Sequence, residues 1–468
     1  MSIVTLGRGS AIFYAGVAIV LSLVSGCNSR DNHHSSNQNQ SRDESQSRDG
    51  YEIRETEDAF AYRSSSPHAT VLNKCVLVNT VADSCTLKAL PLIGDGVTTP
   101  TVDDVMDRVL VTHNWMGSRF EQVLNDAPES LLTLFSSTTA ILIGSKVRPS
   151  FYTRLNGAIQ LDPVYLWTTL DEKRSISIDE DFRSDFGKDL QFWFLSRLAN
   201  PDGSRLAPYY SLEDDSVRPI EDVKIPLQRL LFHELVHATD FMPRNIIADL
   251  DSNLSIYESI DSHRDEWLSN KLLTMHPLNS DTLREFAQVR YRGNEASSIQ
   301  KSTSPSDIGE LMATDGAIQF YSYSSQYEDL AQLVESVMMG HHYDSLTNVG
   351  FTQKPLNEDS YSCDELLVAW GQRNRLADPM VSVRARAATE LVANLTPALT
   401  NFIESGFGNA ELMTNQVHWC DNQAPTMVAA SDLQARSAQQ TGAQMTGTKF
   451  REMMQADSVV HPEGVYND

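Results

Sequence analysis

Residues 226–243 read Pro-Leu-Gln-Arg-Leu-Leu-Phe-His-Glu-Leu-Val-His-Ala-Thr-Asp-Phe-Met-Pro, and they place His233, Glu234 and His237 in the pattern HExxH. Pro226 suits the first position of a helix and Pro243 marks its far end. Between the prolines lie Leu227, Leu230, Leu231, Leu235 and Val236. On a helix, residues four apart sit one turn above each other. Two imidazoles so placed converge on one Zn2+ at about 2.0–2.1 Å. Glu234 then lies beside the metal, ready to take a proton from a bound water. With 12 histidines in the chain, random order yields this pattern only about 0.02 times in a sequence of this length.

A hydrolytic zinc site needs a third protein ligand and one open position. Asp240, three residues after His237, shares the face of both histidines and is expected to orient one of them. The longer HExxHxxGxxH pattern of metzincins is absent, because position 240 is Asp and position 243 is Pro. The ligand is therefore expected from a later helix. Glu328, in Tyr327-Glu328-Asp329-Leu330-Ala331-Gln332-Leu333-Val334-Glu335, is the first choice. Glu328, Ala331, Gln332 and Glu335 share one helical face, and the small Ala331 permits close helix packing. A carboxylate beside an apolar core is costly unless paired or metal-bound. Glu258, 21 residues beyond His237, is the competing ligand. His263, His341 and His342 rank below both.

The blocks His233–Asp240 (HELVHATD) and Glu328-Asp329-Leu330-Ala331 resemble the HExxHxxD…ExxA arrangement of gluzincins related to anthrax lethal factor. The resemblance covers two short blocks, with a longer separation here. It implies His233, His237 and Glu328 as zinc ligands and Glu234 as general base. It further implies a tyrosine seven residues before the ligand Glu that assists the transition state. Tyr321 occupies that spacing, with Tyr323 and Tyr327 as close rivals. The implied fold is α+β and zincin-like, a small mixed sheet with the HExxH helix. The implied activity is zinc-dependent peptide hydrolysis. A zincin-like binding or scaffold protein without activity, and a zinc amidase acting on peptidoglycan stem peptides, are the alternatives.

Outward from the motif, Thr101 is a candidate N-cap with Asp103 and Asp104 in the first turn. The helix it opens would run through Val105, Val109 and Leu110 toward Phe120 and Val123. The run 139–144 (TAILIG) reads as a buried strand. The run 157–162 (GAIQLD) reads as a half-buried strand closed by Asp162-Pro163, a candidate sheet edge for an extended peptide substrate. A polar, acidic stretch spans 171–221 and carries Phe192, Trp193 and Phe194. Helices are expected over 306–312, 326–339 and, interrupted near Pro397, 381–404. The organisation expected is a zincin-like catalytic domain over 68–345, a helical subdomain over 346–425 and a loosely ordered tail over 426–468.

The N-terminus bears on compartment. Residues 11–24 are apolar but shorter than the ~20 needed to span a bilayer, which fits a secretory signal. The run closes on Val24-Ser25-Gly26-Cys27. Small residues before that cysteine resemble the lipobox of bacterial lipoproteins, which implies a signal peptide over 1–26 and a lipidated, membrane-anchoring Cys27. Asn28 in place of Asp leans toward the outer membrane, facing the periplasm or the cell surface. Residues 27–67 read as a disordered tether, because the stretch 28–50 lacks aliphatic residues. Removing Cys27 from five cysteines leaves four. Four allow three pairings, of which the local one, Cys75–Cys85 with Cys363–Cys420, is expected in an exported chain. A net charge of -25 argues against nucleic-acid partners, since phosphate neutralisation needs clustered Lys and Arg. The partner expected is a peptide or protein substrate in the cell envelope.

Overall fold

Three short apolar runs build the centre of the first sheet. Val109–Val111 (β2), Ile141–Ile143 (β3) and Ala158–Leu161 (β5) are buried at every residue and lie parallel in the order β2-β3-β5. Strands covered on both faces read as continuous hydrophobic runs. Two antiparallel strands flank them: Phe60–Ala61 (β1) beside β2, and Phe151–Thr153 (β4) beside β5. The second sheet is antiparallel, in the order β6-β7-β8-β9, from Phe192–Ala199, Leu346–Gln353, Val368–Arg373 and Glu411–Leu412. With the helices around them these two sheets make an α+β fold. The computed structural model describes residues 58–177, 183, 185–212, 214–358 and 361–424. The apolar run 11–24, Cys27, most of the proposed tether and the tail from 425 lie outside the described residues. Among the described residues no helix is long and apolar enough to cross a membrane.

Several expectations are corrected. The helix opened at Thr101 stops after Val102–Met106, although Thr101 caps it as expected, in a capping box with Asp104. Val109 and Leu110 belong to β2, and a separate helix, Asn114–Asn125, carries Phe120 and Val123. Their spacing mimics a helical stripe, but a fully buried strand slot between β1 and β3 claims them. β5 is not a sheet edge, since it pairs on both sides, with β3 and β4. The ordered body starts before His68, because Phe60 and Ala61 pair with Val111 and Leu110. No boundary falls between 345 and 346: β7 pairs with β6 along its whole length, from Phe192↔Gln353 to Ala199↔Leu346. The segment beyond 345 is thus part strand and part helix. Its helices, Pro379–Val392 and Pro397–Ser405, match the expected pair broken near Pro397.

Both disulfides join the expected partners, with Cα–Cα separations of 5.3 Å for Cys75–Cys85 and 6.1 Å for Cys363–Cys420. The HExxH helix runs Glu221–Phe241 and begins earlier than Pro226. Glu221 and Asp222 suit its positive N-terminus. Pro226 falls inside the second turn and removes one backbone hydrogen bond there. From Leu227 to Phe241 every residue is buried. The helix Gln326–Tyr343, which carries Glu328, is buried continuously from Tyr327 to Gly340 and packs against it. A helix buried all round has no solvated face. Every charged side chain on these buried stretches therefore has to be answered from within the protein.

Candidate metal centre

The two helices place three ligand atoms around one point. His233 Nε2 lies 3.0 Å from Glu328 Oε2 and 3.2 Å from His237 Nε2, and the third side, His237 Nε2 to Glu328 Oε2, is 3.6 Å. Atoms bound tetrahedrally at 2.0–2.1 Å from a common centre stand about 3.3 Å apart. The observed triangle brackets that value, and these three residues could hold a metal ion. His233 and Glu328 are fully buried, and His237 is 2 % exposed. The two imidazoles meet edge to face, with ring centroids 4.9 Å apart.

Charge balance supports the same conclusion. Taking a carboxylate out of water costs several kcal/mol unless it is compensated. Among the described residues no Lys or Arg pairs with Glu328; its partners are the two imidazoles and a phenol. With both rings neutral the cluster carries an unbalanced negative charge. Burial alone would raise the Glu328 carboxyl, yet the charge of His237 and the hydrogen bond and charge of His233 hold it well below the usual range. Burial would likewise lower His233, but hydrogen bonds to Glu328 and Glu335 hold it up at about 10. A proton on His233 supplies the missing positive charge, and a cation among the three ligand atoms would do the same.

The other expected residues sort cleanly. Glu234 is fully buried one residue after His233, and its charge reaches the Tyr165 phenol in the turn Pro163–Tyr165. Tyr321, in the turn Phe320–Tyr323, donates its hydroxyl to Glu328 Oε1 at 3.0 Å. Burial, then the Glu328 charge, pushes that phenol well above its ordinary value, so it stays protonated. Its two rivals lie elsewhere: the charge of Asp315 acts on the Tyr323 phenol, and Tyr327 packs on Phe241 and Trp267.

Glu258 is exposed and closes a capping box with Ser255 at the start of the helix Ile256–Ser262. His263 bonds the Ser259 carbonyl at the end of that helix. His341 and His342 lie at the far end of the Glu328 helix, where His342 stacks on Phe232 and meets Ser130 Oγ at 2.8 Å. None of these four joins the cluster.

Asp240 makes its hydrogen bond away from the histidines, although the charge of His237 acts on it. Its Oδ1 accepts the Ser269 N–H at 2.7 Å, so it caps the helix Leu268–Met275. The first N–H groups of a helix lack internal partners, and the last turn of the HExxH helix delivers Asp240 to them. Burial pushes its carboxyl up to about 6 against that hydrogen bond and the charge of His237. The carboxylate on a histidine is instead Glu335, whose Oε2 lies 3.0 Å from His233 Nδ1. The signal for it was the shared helical face of Glu328 and Glu335. What that face could not tell was which side chain of the other helix Glu335 meets.

No family model, no curated protein and no solved structure matches this chain.

Proposed function

We propose that this chain is a zinc-dependent peptidase of the cell envelope, lipid-anchored through Cys27 and acting on peptide or protein substrates there. The observation that carries the reading is the buried triangle of His233 Nε2, His237 Nε2 and Glu328 Oε2 with Glu234 beside it. Zinc fits these donors: two imidazoles and one carboxylate leave a fourth position for water or substrate. When bound, zinc supplies Lewis acidity toward the peptide carbonyl and makes its water a nucleophile near neutral pH.

The chain's own residues do the rest. Glu234 takes the proton of the attacking water on its carboxylate and returns it to the leaving amine nitrogen. Its burial keeps competing solvent away. Tyr321 remains a proton donor, on Glu328 Oε1 in this structure and toward the carbonyl oxygen as negative charge develops there. The edge-strand role assigned to 157–162 is dropped, since β5 is interior.

The test is zinc content and peptide cleavage by the full chain and by Glu234→Gln. The expected result is one zinc per chain in both, and a loss of cleavage of about 10²–10⁴-fold in the variant. A folded wild type that binds no zinc overturns the reading. A second reading, a binding or scaffold protein with a closed metal site, is favoured by the burial itself, with His237 only 2 % and Tyr321 only 3 % exposed. A hydroxamate, which needs an open coordination position, binds the peptidase and not the closed site.

A further inference from the structure

We propose that Glu335, backed by Arg229, is the positioning residue of this centre, gripping His233 from behind so that its Nε2 faces the ligand triangle. The inference rests on the site holding a metal ion, and it concerns residues the HExxH pattern does not contain. The His233 ring is held at both nitrogens by one helix: Glu328 Oε2 stands 3.0 Å from Nε2, and Glu335 Oε2 stands 3.0 Å from Nδ1. Seven residues separate the two glutamates, about two turns, so both project from one face of Gln326–Tyr343. A carboxylate can only accept, so the hydrogen at this contact sits on Nδ1. Nε2, 3.0 Å from Glu328 Oε2, is then the nitrogen that would give up its hydrogen and turn its lone pair to a cation entering the triangle.

Arg229 completes the bracket. It lies one turn before His233 on the HExxH helix, and its Nε donates to Glu335 Oε1 at 2.5 Å. Glu335 is fully buried and the Arg229 side chain is 8 % exposed. The guanidinium keeps Glu335 ionised and holds its second oxygen, so the carboxylate cannot swing away from the ring. Because the His237 ring meets the His233 ring edge to face, fixing one ring also limits the other. Glu335 touches neither the substrate position nor the ligand triangle, and it acts through His233.

The experiment compares wild type with Glu335→Gln, Glu335→Asp and the double variant Arg229→Met/Glu335→Gln. The double variant removes both buried charges together, so it stays folded even where a stranded arginine unfolds Glu335→Gln. Zinc affinity is measured by competition with a chromophoric chelator, and the Co2+ derivative is read by its visible absorption spectrum. Glu335→Gln and the double variant are expected to bind zinc about 10–100-fold more weakly and to shift the Co2+ bands. Glu335→Asp should recover part of the affinity.

Folded variants with wild-type zinc affinity and an unchanged Co2+ spectrum overturn the inference, leaving Glu335 as a structural partner of Arg229. That result leaves the peptidase reading intact. A wild type that binds zinc tightly, loses it in the Glu335 variants and cleaves no peptide does the reverse. A wild type that binds neither metal overturns both.

Discussion

Two buried carboxylates stand side by side on the helix Gln326–Tyr343, and the chain treats them differently. Asp329 is answered by Arg384, which reaches both of its oxygens from the helix Pro379–Val392. The same guanidinium also bonds the carbonyls of His276 and Gly316. Glu328, its neighbour, faces two imidazoles and a phenol. The Asp329 pair is complete without anything from outside, because a guanidinium is always charged. The Glu328 cluster balances only if a ring is protonated or a cation enters. A buried charge answered by Arg is architecture; a buried charge answered by groups that can give up a proton is a place that could take a cation. Glu335 belongs to both kinds, closed by Arg229 on one oxygen and turned toward His233 with the other.

The sharpest way to break this comparison is to neutralise each carboxylate in metal-free protein. Asp329→Asn strands Arg384, whose side chain is 5 % exposed. Breaking a buried pair by removing one partner typically costs about 3–5 kcal/mol, and a loss in that range is expected by urea unfolding. Glu328→Gln strands nothing, because an imidazole can shed its proton where a guanidinium cannot. Its loss should be less than half as large. Equal losses would mean that Glu328 is as structural as Asp329. A smaller effect separates the two in the presence of metal. At free zinc 100 times the dissociation constant, wild type should gain about 2.7 kcal/mol of stability, and a chelator should remove it. The Asp329→Asn variant, starting lower, should show the same gain, while Glu328→Gln should show almost none.

These two carboxylates also mark how far the sequence could be read. The group that could hold a metal was legible because its geometry is local. His233 and His237 are four apart on a helix flanked by prolines, and Glu328 lies on a helix whose other faces are apolar. Tyr321 was named only through the resemblance, which implies a tyrosine seven residues before the glutamate. The partners of these residues were not legible, because each is chosen by tertiary packing. Asp240 shares the histidines' face, yet the first turn of Leu268–Met275 takes its oxygen. Arg229 and Glu335 are 106 residues apart and meet only when the helices pack. The fold shows the same division. The apolar runs at 139–144 and 157–162 announced strands, but not that β4 would cover the second from the outside. The β6–β7 pairing joins residues 192–199 to 346–353, and nothing local to either stretch signals the other. The Val105-to-Leu110 spacing fitted a helix until sheet pairing claimed its second half.

The smallest effect concerns a half-buried imidazole at the far end of the helix Gln326–Tyr343, one without a carboxylate. His342 stacks on Phe232, with ring centroids 5.8 Å apart and planes at 8°, next along the chain from His233. Burial, with a minor contribution from His341, pushes His342 down to about 4, whereas the carboxylates on His233 push that ring up. A base whose pKa is lower folded than unfolded favours the native state while neutral. Its contribution is complete above the unfolded value near 6.5 and is lost as pH falls from there toward 4. Stability of the metal-free protein, followed by urea unfolding between pH 7 and 4, should therefore decline in wild type with a component that His342→Gln lacks. The pH-dependent part of the difference between the two proteins should be largest near pH 4 and vanish by pH 7. His342 is partly exposed, so solvent keeps this contribution below those of the buried ion pairs. If His342→Gln follows the wild-type curve throughout, burial at the Phe232 stack does not depress this ring, and only the carboxylates distinguish the two imidazole environments.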